Sequence, residues 1–205
     1  MPLNGKTKRD VLVEFRHAEI LQAARRVFAD KGFSDASVDE IAQAAGVAKG
    51  TVYLYYPSKR DIYWEALKGG LVALCEVLET AVRAADSTEN KIRAFMRTKM
   101  LFFEEHRDFF KIYHAEFVNA GAQPGCFERD LKVFHVRQMR LLTDAIEDGM
   151  RRRSIRKLPA DETAFAILHL TRGVITQRLL GLSRSGIEEA ISLLFDLTWK
   201  GLAGK

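Results

Sequence analysis

Residues 37–56, SVDEIAQAAGVAKGTVYLYY, hold two short helical patterns on either side of a single glycine, and this pair constrains the fold more than any other part of the chain. Ser37 followed three residues on by Glu40 is a capping-box start: the hydroxyl accepts from a free amide while the carboxylate reaches back to the cap. Val38, Ile41, Ala42 and Ala45 then share one helical face. Gly46 ends this helix where a left-handed backbone is easiest to place. Val47 turns inward, and a second helix is predicted from about Ala48 to Tyr55. Such a pair is a helix-turn-helix.

The second helix divides its faces sharply. At about 100° per residue, Val52 and Tyr56 point to a core, and Gly50, Thr51, Tyr53 and Leu54 point outward with Lys49 and Tyr55 on the flanks. That outward face presents hydroxyls, one cation and no acid, and its small first residues let a backbone approach a duplex. An ordinary solvated helix has little reason to expose two tyrosines and a leucine, so the expectation is DNA recognition in the major groove.

On these residues the chain resembles the DNA-binding domain of the tetracycline-repressor (TetR-like) family, whose pattern can be followed from Ile20 to Ile62. Ala23, Ala24 and Phe28 match its first helix, and Gly32 and Phe33 its turn. Ser37 and Val38 match its second-helix start, and Ile41, Ala42, Ala45, Gly46 and Val47 the end of that helix and the turn after it. Lys49 to Tyr53 with Tyr55 and Tyr56 match the recognition helix, and Ser58 and Lys59 the start of the fourth helix. The departures are Ala48 where serine is common, Tyr56 where phenylalanine is common and Arg60 where glutamate is common. The resemblance implies an all-α chain of about nine helices: an N-terminal three-helix DNA-binding domain with the helix-turn-helix, joined by a long helix to a C-terminal helical ligand-binding and dimerisation domain. The expected domains are 1–57 and 58–205. It also implies DNA contacts from Ser37, Ala48, Lys49, Gly50, Thr51, Tyr53, Leu54, Tyr55 and Lys59.

The totals agree with this picture without deciding it. The 205 residues are 47% hydrophobic, enough for a substantial core, and the net charge of +5 leans toward a polyanionic partner. Ten Lys and Arg against seven Asp and Glu lie in residues 1–60, so the excess is concentrated at the front. The basic start MPLNGKTKRD feeds directly into the first helix, where it can touch phosphate. Cys75 and Cys126 lie far apart without metal-ligand spacing, and no apolar run of signal or membrane-spanning length appears, so a cytoplasmic protein with reduced thiols and no membrane partner is expected.

A first long helix is expected from about Val11 or Glu14 to Lys31, burying Phe15, Ile20, Ala24, Val27 and Phe28, with Phe33, Val38, Ile41, Val47 and Val52 closing a small core. Pro57 separates the reader from a helix that Ser58 caps with Asp61, and Lys59 with the amides of that turn suits a phosphate. This helix, to about Ala84, would span roughly 40 Å. Thr88 is expected to cap the next one.

Residues 91–120 are dense in aromatics with polar groups interleaved. By resemblance they form a small-molecule pocket, with Phe102, Phe103, His106, Phe110, Tyr113, His114, Phe117 and, from the helix after, Phe134 as candidates. His106, His114, Cys126 and His135 lack compact zinc spacing, so no metal or cofactor is expected. Arg151, Arg152 and Arg153 suit the negative end of a helix running from about Phe127. Pro159 and Asp161 start a helix to Leu180, and Ser185 with Glu188 is expected to cap the last one. Both carry apolar faces wider than one chain's core needs, which points to a four-helix homodimer interface.

Catalytic machinery is not in view: Gly181 to Gly186 has G-x-S-x-x-G spacing between helices, and no phosphate-binding glycine loop or H-E-x-x-H occurs. The expected function is a DNA-binding transcriptional regulator, a repressor released from a palindromic operator by a small-molecule effector. A helical DNA-binding protein without an effector, or a small helical enzyme, are the alternatives.

Overall fold

The computed structural model of the chain describes residues 7–119 and 128–203, apart from the side chains at positions 8, 9, 117–119 and 128–130. Nine helices occur among the described residues: α1 (Lys8–Asp35), α2 (Val38–Ala44), α3 (Lys49–Tyr55), α4 (Lys59–Ala84), α5 (Thr88–Glu105), α6 (Arg107–Asn119), α7 (Glu128–Arg151), α8 (Ala160–Leu179) and α9 (Ile187–Leu202). They fall into two compact units. The first holds the described residues up to Gly70 and those of α6 from Asp108; the second holds Leu71–Arg107 and the described residues from α7 onward. The single helix α4 therefore contributes to both.

In the first unit, α1 starts earlier than its apolar spacing suggests. Thr7 accepts from the Asp10 amide while the Asp10 carboxylate accepts from the Thr7 amide, a capping box that settles the start at Lys8. Gly32, at φ 74°, breaks α1 at the expected place, and one further turn runs to Asp35. Ile20, Ala23, Ala24, Phe28, Val38, Ile41, Val52 and Ile62 form the core. Phe15 is not part of it: the side chain is exposed, because it lies on the opposite side of α1 from Ile20 and Ala24. Phe33 is 38% exposed, yet its ring lies 5.0 Å from that of Tyr63 and stacks on Phe28. The α6 residues Phe109, Phe110, Ile112 and Tyr113 are buried in the same unit, and the Tyr63 hydroxyl donates to Glu116 at 2.6 Å.

The second unit is built on α5, which packs against α7, α8 and α9, while α7 and α8 pack on each other. Leu74, Leu78, Ile92, Phe95, Phe103, Ile146, Ile167 and Phe195 are among its buried apolar residues. Two expected caps are displaced by one residue. Ser87, not Thr88, caps α5 by accepting from the Asn90 amide, and Thr88 is buried instead, against Gly149 of α7. Gly186, not Ser185, precedes α9, and Glu188 pairs with Arg97. In both cases a burial or ion-pair partner from a distant helix competes with local capping. Arg151 and Arg152 pair with Asp148, and Arg153 takes a left-handed backbone at φ 59° that ends α7.

Adjacent glycines in α4 distinguish tight packing from helix propensity. A Cβ on Gly70 would lie 2.3 Å from the buried Phe109 ring, whereas one on Gly69 would meet nothing nearer than Arg25 at 4.0 Å. Gly70→Ala is expected to destabilise the protein by about 1–3 kcal/mol through overpacking. Gly69→Ala should stabilise it by up to about 1 kcal/mol through helix propensity. Urea unfolding of the two variants reads both signs.

Candidate nucleic-acid interface

The interface is assembled from the caps inward. Ser37 Oγ accepts from the Glu40 amide at 3.2 Å, and the Glu40 carboxylate accepts from the Ser37 amide at 2.9 Å and its hydroxyl at 3.0 Å. Lys31 adds an ion pair to the same carboxylate. The Lys31 hydrogen bond, followed by those of the Ser37 amide and hydroxyl, holds the Glu40 carboxyl down at about 2. The start of α2 is thereby tied to the end of α1. At the other end of α2 the Ala45 amide donates to Ile41 O at 2.9 Å and the Val47 amide to Ala42 O at 3.0 Å, across Gly46 at φ 66°.

This turn delivers α3. Ala48 is its N-cap residue and, with no hydroxyl, makes no side-chain cap bond. Val52 and Tyr56 are buried, and Tyr56 Oη is hydrogen-bonded to His17 Nδ1 at 2.8 Å. Burial, followed by the charge of Glu65, pushes the Tyr56 hydroxyl up to about 12, so it stays a neutral phenol at any physiological pH. The His17 ring also meets Tyr55 edge-on at 4.5 Å. With one side of α3 held so, the other faces out. Leu54 is 84% exposed and Tyr53 45%, Thr51 is half-buried, and an added Cβ on Gly50 would meet nothing within 4 Å.

The two lysines are engaged within the chain. Lys49 Nζ pairs with the Asp39 carboxylate at 2.7 Å, which raises the lysine's pKa chiefly through that hydrogen bond. An acid of α2 thus reaches the outward face that α3 alone leaves acid-free. Lys59 Nζ donates to Ser34 O at 3.1 Å and Ala36 O at 2.8 Å and lies 4.7 Å over the Phe33 ring. Its position at the start of α4 suggests an anion clamp. Its ammonium instead satisfies carbonyls at the end of α1, leaving one of three donors for a phosphate.

The pocket candidates divide between the units. Phe102, Phe103, His106 and Phe134 belong to the second, where Phe102 lies against His106 at 4.4 Å and Phe103 is fully buried. Phe110, Tyr113 and His114 belong to the first, where Phe110 stacks on His114 at 5.4 Å; the Phe117 side chain lies outside the described residues. A helix break at His106, whose backbone leaves helical geometry, separates the two sets. Cys126 lies outside the described residues, and among those described no cluster of three or more His, Cys, Asp or Glu is placed to hold a metal. No described helix is long and apolar enough to cross a membrane. The buried polar pair Lys99 and Gln138 has no counterpart in the sequence-based expectations; the signal available was that Lys99 falls one turn from both Phe95 and Phe103 on one face of α5.

Residues 20–66 match the family description "Bacterial regulatory proteins, tetR family". The chain carries a TetR-family DNA-binding domain. It is 33% identical over 89 residues to the HTH-type transcriptional activator FasR of Mycolicibacterium smegmatis, covering 43% of this chain and 41% of FasR. It is 31% identical over 115 residues to the HTH-type transcriptional repressor KstR2 of Mycobacterium tuberculosis, covering 55% and 56%. The chain thus spans between two fifths and a little over half the length of these curated relatives. Over nearly the whole chain the likeness is one of fold. The crystal structure of the transcriptional regulator FadR from Bacillus subtilis in complex with stearoyl-CoA superposes at a TM-score of 0.79 with 19% identity, covering 90% of this chain and 98% of that one.

Two variants test this geometry. The Glu40 carboxyl is held at about 2 in the fold against an ordinary 4.5, so its stabilising contribution is complete above pH 4.5 and is lost as pH falls toward 2. Glu40→Gln should therefore flatten the acid side of a stability-versus-pH curve in that window. Lys59→Ala should lower stability by about 1–3 kcal/mol, by leaving two carbonyls without their charged donor, as read from the urea midpoint.

Proposed function

We propose that this protein is a homodimeric, ligand-responsive transcriptional regulator that lays α3 in the major groove of each half of a palindromic operator, about one helical turn apart. The observation that carries the reading is the outer face of α3. Gly50, Tyr53 and Leu54 are open to a partner on a TetR-family helix whose other side is pinned by Val52 and Tyr56. Ser37, Ala48, Lys49, Thr51, Tyr53 and Tyr55 contact the duplex, the tyrosine hydroxyls and the last donor of Lys59 mostly at phosphates. Gly50 and Leu54 meet bases or sugars, and Leu54 suits a thymine methyl. For Lys49 this requires its exposed pair with Asp39 to open, a small cost for an exposed pair in water.

Dimerisation runs through α8 and α9. Phe165 and Leu170 on α8 and Leu193 and Leu197 on α9 are all more than half exposed in the single chain, a pattern that a four-helix interface would bury. The effector has an apolar body, as the stearoyl-CoA complex of the similarly folded FadR suggests, and binds in the helical domain after α4 starts. It acts by favouring a state in which the two readers no longer match the half-site spacing, and only through unequal affinity for the two states. KstR2 is named a repressor and FasR an activator; in this protein effector binding releases the operator and so derepresses transcription in the cytoplasm.

Gly50→Leu tests the surface directly. Since the position is open, leucine leaves helicity and dimerisation intact, and only a duplex would meet the added side chain. The variant should lose protection of the operator in a footprint that the wild-type protein gives. Normal protection by the variant would place the reading surface elsewhere.

A further inference from the structure

The second unit encloses a cluster of basic side chains that DNA recognition does not use. Lys99, on α5 between Phe95 and Phe103, is 1% exposed. Its Nζ donates to Gln138 Oε1 of α7 at 2.6 Å and lies 5.7 Å from the Phe95 ring centroid. Among the described residues no carboxylate pairs with it. His135 lies one turn before Gln138 on α7, and His169 and Arg172 lie one turn apart on α8. The rings of His135 and His169 stack at 5.7 Å, and Phe165 meets His169 edge-on at 3.9 Å. His169 Nδ1 is buried with no hydrogen-bond partner among the described residues. Because His169 and Arg172 are half-buried, the cluster reaches from the core toward the surface along α8.

These groups oppose each other's charge. Burial first, with Arg172 adding and Cys75 working against, takes the Lys99 ammonium down to about 7. Burial and then Arg172, His135 and Lys99 take His169 down to about 4, and burial with Lys99 and Arg172 lowers His135. Cys75, which acts on Lys99, does not neutralise it. Burial pushes the Cys75 thiol up, so it stays protonated, and Glu79, one turn further along α4, is held by Arg137 and Arg83. A buried ammonium whose one acceptor is a neutral amide is destabilising by itself. What it lacks is an anion with acceptors for its two other N–H groups.

We propose that Lys99, with His169 and Arg172 beside it, receives the carboxylate of a small organic acid whose apolar body lies among the neighbouring aromatic rings. The proposal rests on the effector reading above and narrows it. One carboxylate supplies one charge for one fully buried ammonium, together with two acceptor oxygens. An ester or thioester carbonyl supplies no charge, so the acid is favoured over its esters.

The test is calorimetric titration of the full-length protein with laurate and phenylacetate and with the methyl ester of each, for the wild-type protein and for Lys99→Met and Arg172→Met. At least one acid should bind the wild-type protein ten-fold or more tightly than its ester. Lys99→Met should remove that preference and Arg172→Met should reduce it, while the thermal midpoint of unliganded Lys99→Met stays at or above the wild-type value because methionine fills the site without a charge. The proposal is overturned if neither acid binds, if acid and ester bind alike, or if Lys99→Met keeps the preference. The acid–ester comparison on the wild-type protein stands even if the variant fails to fold. Operator footprinting keeps the two readings apart. Protection of the operator without acid binding removes the carboxylate site alone, and acid binding through Lys99 without any protected DNA removes the regulator reading instead.

Discussion

The burial of Val52 and Tyr56, with the Tyr56 hydroxyl bonded to His17 of α1, is the contact on which the outward surface of α3 depends. Seven residues make a helix of negligible stability by itself, so its existence and its rotation both come from tertiary contacts. Two buried positions four apart define one side, and the imidazole of His17 grips that side twice, through the Tyr56 hydroxyl and the Tyr55 ring. Helical geometry then leaves Gly50, Tyr53 and Leu54 nowhere to point but outward. The same logic explains the charged contacts around it. Glu40 joins Lys31 to the cap of α2, and Lys59 closes the end of α1, so the angles between short helices are held by directional bonds where little apolar surface is available.

The second unit solves a different problem. Its helices are long and amphipathic enough to cohere by burial alone, which makes a lysine at the centre of α5 costly and conspicuous. Phe95 and Phe103 on either side are ordinary core residues; Lys99 between them is satisfied by one amide oxygen and surrounded by further basic groups. Replacing it by an apolar side chain of similar volume would be the simpler way to stabilise such a core. A role in holding an anion accounts for the residue where stability does not.

Local rules read off the chain held where no distant partner competes. The Ser37–Glu40 box, the left-handed Gly32 and Gly46, the proline before α4 and the buried pair Val52 and Tyr56 all stand where their spacing puts them. They gave way where a partner far along the chain intervened. Ser87 caps α5 because Thr88 is buried beneath Gly149, Glu188 serves Arg97, and Lys59 answers carbonyls 23 and 25 residues earlier instead of standing ready for a phosphate. The aromatic run after Lys91 reads as one surface, yet the break at His106 assigns its halves to separate units.

The sequence by itself determined the helical class, the helix-turn-helix and the outward residues of its second helix, because these follow from backbone periodicity and caps that act within four residues. Tertiary structure alone decided which charges are committed inside the chain and which basic groups share an interior. Those outcomes depend on the approach of residues ten or more positions apart: Lys49 with Asp39, Lys59 with Ala36, and Lys99 with Gln138 and the histidines of two other helices. Hydrogen bonds and close ion pairs form only within a few ångströms, and no one-dimensional spacing encodes that proximity.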